Sequence, residues 1–263
     1  MFTFTCSGGW LKEASEEKFT AAAKLGFKAQ EILGWTNMDL AKARVNIDTS
    51  GCALSAILVQ SRDGHKQSLI ANTHGIVHED AHDAFVDAIA ETLEAAKALN
   101  CTNIVVTTGN ERTDVSRQAQ HDNIVKALKS AAKVVEGSGV VLVLEPLNVL
   151  VDHKGYYLTT TAQGVEIIKE VASPQIKLLY DVYHQQITEG NLINTIRENI
   201  RHIGHIHIGD VPGRMEPGTG EINYKNVFKA IAETGYDKYV VLECGLSEDV
   251  ETASKKMWEM VNG

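Results

Sequence analysis

Eight times along the chain a short apolar, β-branched run is followed by a stretch of helical spacing, and no other feature limits the available folds as much. The strand candidates are Phe2–Cys6, Ala29–Leu33, Cys52–Val59, Asn103–Thr107, Val140–Glu145, Gln175–Tyr180, a run through His205 and His207, and Tyr239–Glu243. The helical stretches are Ser15–Leu25, Met38–Thr49, Glu79–Asn100, Asp114–Glu136, Thr161–Val171, Glu189–Ile200, Asn223–Thr234 and Ser247–Val261. Val140–Glu145 reads VVLVLE, a continuous apolar run of the kind buried on both faces of a parallel sheet. That order, repeated over 263 residues, predicts an α/β fold, a single (β/α)8 TIM barrel, with a doubly wound open sheet as the fallback. A 44% apolar content suffices for one substantial core, and no Pro/Ser/Gly-rich linker or low-complexity tract divides the chain. One domain over 1–263 is the expectation. The polar segment Gln60–His78 reads as a loop long enough to suggest function.

Several partner classes are disfavoured. No apolar run approaches the roughly 18 residues of a membrane span, and MFTFTCSGGW lacks the basic start and apolar centre of a secretory signal. A soluble, cytoplasmic protein without a membrane partner is expected. Cys6, Cys52, Cys101 and Cys244 lack paired metal-ligand spacing and fit free thiols in a reducing compartment. A net charge of −9 would repel a phosphate backbone over most of the surface, so nucleic acid is a disfavoured partner. A homo-oligomer stays open, with Trp35 or Trp258 as either contact residues or partly buried ones.

The stretch RHIGHIHIGDVPGRMEPGTGEI, Arg201 to Ile222, holds the densest functional signal. Period-two alternation sends His205 and His207 to one face of a strand, and a Pro/Gly-punctuated loop carrying Arg214 follows. In a barrel the active site lies at the C-terminal ends of the strands. Glu145 ends the fifth strand, Asp181 follows the sixth, His207 comes from the seventh and Glu243 ends the eighth, so three carboxylates and an imidazole converge on one rim. Like charges gathered in a buried place call for compensation, and a divalent cation supplies it. Mixed carboxylate and imidazole ligation suits one Mn²⁺, Mg²⁺ or Co²⁺, with Zn²⁺ admissible. Neither Glu145 nor Glu243 has an adjacent Lys or Arg to pair with. Glu31 and Asp210 read instead as helix caps or lysine partners. His184 is expected on the loop beneath the mouth, where it would orient a substrate oxygen. Arg214 would clamp a carboxylate or hydroxyl, or brace its loop. His65, His74, His78, His82, His121, His153 and His202 carry no functional expectation.

The segments EPLN (Glu145–Asn148), YDVYH (Tyr180–His184), HIHIGDVPGRMEPGTGEINY (His205–Tyr224) and LEC (Leu242–Cys244) resemble the hydroxypyruvate isomerase family within the xylose-isomerase-like TIM barrels, over most of the chain. The resemblance implies that Glu145, Asp181, His207 and Glu243 are the metal ligands, with Glu145 and Glu243 doubling as the catalytic acid/base pair. It also implies that His184 and Arg214 contact a small hydroxy-carbonyl substrate. Two positions differ from that family: His207 stands where a glutamine is usual, as in the related ketose 3-epimerases, and Cys244-Gly245 replaces an aromatic residue. The expected reaction is the conversion of hydroxypyruvate to tartronate semialdehyde through a metal-stabilised enediolate. A ketose 3-epimerase of the tagatose or psicose type is the alternative, followed by a keto-inositol-type dehydratase and an endonuclease IV-like phosphodiesterase. The phosphodiesterase would need several more histidine ligands.

Overall fold

In the computed structural model, which describes residues 1–262, the eight apolar runs become parallel strands, the third of them in two pieces. These are β1 (Thr3–Ser7), β2 (Ala29–Glu31), β3 (Ala53–Leu54), β4 (Ile57–Leu58), β5 (Asn103–Val106), β6 (Val141–Leu144), β7 (Ile176–Asp181), β8 (Ile203–Ile208) and β9 (Tyr239–Leu242). Strand order is β3-β2-β1-β9-β8-β7-β6-β5-β4, so the two ends of the sheet are halves of one run. The chain bends at Ser55-Ala56: Ser55 bonds Gln30 O through both its backbone N–H and its hydroxyl, and Asn103 Nδ2 donates to Ser55 O at 2.8 Å. Beyond the bend, Leu58 N donates to Leu33 O and Val59 N to Val105 O, which carries the ring from β2 across to β5. The fold is a (β/α)8 barrel. The open-sheet fallback is set aside by this closure.

The helices are α1 (Lys18–Lys24), α2 (Leu40–Ser50), α3 (Gly64–Leu69), α4 (His82–Leu99), α5 (Arg117–Val134), α6 (Thr161–Val171), α7 (Val182–Thr188), α8 (Leu192–Asn199), α9 (Tyr224–Glu233) and α10 (Val250–Asn262). Local chemistry starts them: Asp39, Ser116, Thr160 and Asn223 each accept a first-turn backbone N–H at α2, α5, α6 and α9. Two helices were not anticipated. Gln60–His78, expected as loop, contains α3, capped by Asp63, whose short length leaves no apolar periodicity to read. Helix α7 follows β7 without a loop because Asp181, its last residue, also caps the helix.

Alternation along each strand divides two apolar regions. Val105, Val143 and Leu179 form a small cluster with Ala56 inside the barrel, while Ile104, Leu142, Leu144, Leu178, Ile206 and Leu242 join the larger core beneath the helices. Trp35 is buried, its indole N–H bonded to Leu58 O, and Trp258 is partly buried, packed on Phe4 and Phe27. All four cysteines are free thiols, and no described helix is long and apolar enough to cross a membrane. Leu142 is fully buried between strands and helices. Leu142→Ala is expected to lower the unfolding free energy by about 2–5 kcal/mol in urea denaturation, through lost burial and the cavity left behind.

Candidate active site

The C-terminal ends of β6 to β9 bring four of the expected residues to one point. Ligand atoms of Glu145, Asp181, His207 and Glu243 lie within 4.8 Å of one another. Register explains half of this: Asp181 and His207 are direct partners across β7 and β8. Glu145 and Glu243 stand one residue past their strands, each still fastened by its backbone N–H, to Val106 O at 3.0 Å and Ile208 O at 3.1 Å. His207 Nδ1 is 3.0 Å from Glu243 Oε2 and 3.7 Å from Glu145 Oε1. It is buried there without a hydrogen-bond partner, since neither approach has hydrogen-bond geometry.

Arg214 closes the group from the side. Its Nη2 reaches Asp181 Oδ2 at 2.8 Å and Glu243 Oε2 at 2.5 Å, and the guanidinium lies 4.9 Å from the centre of the Tyr183 ring. Glu243 therefore does have a cationic partner, which comes from a loop 29 residues earlier rather than from a neighbour in sequence. Asp210 shapes that loop. Fully buried, it accepts the backbone N–H groups of Val211, Gly218 and Ile222, so it is neither a helix cap nor a lysine partner. Gly220 is required in the same turn, because a Cβ would stand 2.1 Å from Val211 O.

His184 lies in the first turn of α7, buried, not on an open loop. Asn148 donates to its Nδ1 from both side chain (2.7 Å) and backbone (3.3 Å), which leaves the proton on Nε2, 3.5 Å from Asp181 Oδ2. Burial keeps this imidazole neutral by lowering its pKa. Glu31 departs most from expectation. It is 1% exposed and meets two imidazoles, His205 Nε2 at 2.8 Å and His207 Nε2 at 3.2 Å. Glu31 and Asn148 are the site residues that sequence reasoning left without a role. In the sequence Glu31 lies in the middle of the strand candidate Ala29–Leu33, whereas the strand itself ends at Glu31 and so brings it to the barrel interior.

The electrostatics follow from burial and crowding. Burial raises the Glu145 carboxyl to about 7 against the pull of His207, and the charges of Glu243 and Asp181 add to the rise. Burial also works against a charged Asp181, but His184, Arg214 and His207 hold it below the usual carboxylate range. For His207 burial is outweighed by Glu31, Glu243 and Glu145, and its pKa stands well above the ordinary value. A cluster with this much anionic character and a buried imidazole nitrogen without a hydrogen-bond partner fits a divalent cation in its donor chemistry.

Residues 19–260 match the model of the family described as xylose isomerase-like TIM barrel. The chain belongs to that family. A putative hydroxypyruvate isomerase of Danio rerio is 31% identical, over 94% of this chain and 91% of its own length. A 2-oxo-tetronate isomerase of Cupriavidus necator is 32% identical, over 86% and 85%. Among solved structures, the Brucella melitensis protein described as an AP endonuclease of family 2 superposes with a TM-score of 0.90 at 23% identity, over 98% of this chain and 99% of that one, a likeness of fold alone. With relatives of these names, this xylose isomerase-like barrel is an isomerase.

Two other features of the barrel lie apart from the cluster. A cleft of about 580 Å³ beside the mouth is lined by Trp10, Leu11, Lys24, Leu246 and Asp249, and none of the four clustered residues lines it. His74, His78 and Asp80 also gather, but the two rings stack face to face, 3.7 Å apart, and Asp80 is bonded to His74. Stacked rings send their nitrogen lone pairs along nearly parallel planes, a poor arrangement for chelation.

The raised Glu145 sets a pH window. A carboxyl whose folded pKa exceeds its unfolded value contributes stability that is full below about 4.5 and is lost as pH rises through about 7. In chelator-treated protein, Glu145→Gln is expected to gain stability on the unsubstituted chain across that interval in urea titrations. ¹³C NMR of labelled glutamate should show one carboxyl with a midpoint near 7 that disappears in the variant; a midpoint near 4.5 would contradict the burial argument.

Proposed function

We propose that this isomerase interconverts hydroxypyruvate and tartronate semialdehyde, with Glu145 and Glu243 as the acid/base pair. The observation that carries the reading is the meeting of Glu145, Asp181, His207 and Glu243 within 4.8 Å, with the Arg214 guanidinium beside them. The names of the two relatives support the substrate class, since hydroxypyruvate and 2-oxo-tetronate are both 2-oxo acids. Arg214 suits such a substrate, because its planar fork of donors matches a carboxylate.

A divalent cation held by Glu145, Asp181, His207 and Glu243 would supply an electrophile for the substrate's carbonyl and hydroxyl oxygens. The protein's own groups then move the protons. One glutamate takes a proton from the hydroxymethyl carbon, and the electron pair left behind becomes the C=C bond of an enediolate as the carbonyl π pair passes to oxygen. The proton is returned to the neighbouring carbon, the original hydroxyl passes its own proton to the former carbonyl oxygen, and an aldehyde results. His184, neutral with its proton on Nε2, offers a hydrogen bond to a substrate oxygen, and Arg214 leaves its carboxylate partners to hold the substrate's carboxylate.

The cluster's single imidazole supports this over the phosphodiesterase reading, which calls for several more histidine ligands. His207 in place of the glutamine usual in hydroxypyruvate isomerases keeps the ketose 3-epimerase reading in view. The two are separated by loading the protein with Mn²⁺ and following solvent deuterium into hydroxypyruvate, tartronate semialdehyde, ketopentoses and ketohexoses. Label in the 2-oxo acid and its aldehyde is expected; label confined to a ketose would assign the chain to epimerisation. Glu145→Gln and Glu243→Gln should each slow turnover by about 10²–10⁴-fold, the usual worth of a positioned acid or base, while circular dichroism stays unchanged.

A further inference from the structure

We infer that Glu31 is a positioning residue that holds His207 in the form able to bind a cation, an inference that rests on the metal reading above. Three observations lead to it. The Glu31 carboxylate is buried in the barrel with no lysine or arginine against it, and its partners are the two imidazoles of β8. His207 Nε2 lies 3.1 Å from Oε1 and 3.2 Å from Oε2 of that carboxylate. His207 Nδ1, on the other edge of the ring, is the unpartnered nitrogen among Glu145 and Glu243.

An imidazole that gives its Nε2–H to a carboxylate keeps its lone pair on Nδ1, so the contact fixes both the tautomer and the direction of the free nitrogen. The negative charge behind the ring also makes Nδ1 a stronger donor to a cation. His205 is the clamp on this arrangement. It bonds the same Glu31 oxygen at 2.8 Å, packs edge-on against His207 with ring centres 5.1 Å apart, and so stops the carboxylate from turning away. The strand that reads HIH thus uses its two histidines differently: His207 faces the mouth, and His205 secures the carboxylate that steers it. A purely structural Glu31 would serve equally well with His207 in either tautomer, and this separates the two accounts.

The test is calorimetric titration of chelator-treated protein with Mn²⁺, using the unsubstituted chain, Glu31→Gln and Glu31→Ala. Glu31→Ala is expected to bind Mn²⁺ about 10–100-fold more weakly, the usual effect of losing such a supporting carboxylate, and Glu31→Gln, which keeps an acceptor oxygen without the charge, should fall between. The unsubstituted protein gives a second reading that needs no variant: with ¹⁵N-labelled histidine and Zn²⁺ bound, His207 should show a protonated Nε2 and a proton-free Nδ1. Variants that bind Mn²⁺ within twofold of the unsubstituted chain would overturn the inference, as would a proton on Nδ1 in the loaded protein. Absence of Mn²⁺ binding by the unsubstituted chain would instead remove the metal reading and the inference with it.

Discussion

Three carboxylates share the barrel mouth, and everything around them is arranged to make that tolerable. Desolvating like charges a few ångströms apart costs far more than packing returns, so each must be protonated, paired or bridged. All three answers are in use. Glu145 tends toward its neutral form, Asp181 and Glu243 share Arg214, and His207 stands among them as a cationic or ligating group. A divalent ion would replace this patchwork with one charge at the common point.

The positions of these groups depend on quite different parts of the fold. Asp181 and His207 are held by strand pairing, which fixes their separation as a matter of register. Arg214 depends on a loop whose course is set by one buried carboxylate, Asp210, taking three backbone N–H groups. The strand-end residues are therefore set by register, while the guanidinium reaches them from a loop. The polar interior continues downward through His207, Glu31 and His205, ending on the small apolar layer of Val105, Val143 and Leu179.

Apolar runs such as VVLVLE could be placed because a strand covered on both faces has little freedom in composition. Helix α3 was missed because six residues are too few for a period. Helix α7 was read as loop because Asp181 serves as both strand end and cap, and no turn residue marks the change. Glu145, Asp181, His207 and Glu243 are legible from their places at strand ends, whereas Glu31 falls inside the strand candidate Ala29–Leu33 and its partners lie 174 and 176 residues away. Asp210, expected as a helix cap or a lysine partner, is a structural residue whose partners are backbone N–H groups of its own loop.

By itself the sequence determined the count and order of the strands, the parallel barrel and the rim residues Glu145, Asp181, His207 and Glu243, because periodicity and strand ends are local properties that a chain cannot hide. Only the tertiary structure decided which nitrogen of His207 lacks a hydrogen-bond partner, that Glu243 shares Arg214 with Asp181, and that Glu31 lies behind the site. Those facts depend on contacts between residues tens to hundreds of positions apart, and on burial, which sets a carboxylate's charge together with the neighbours it meets.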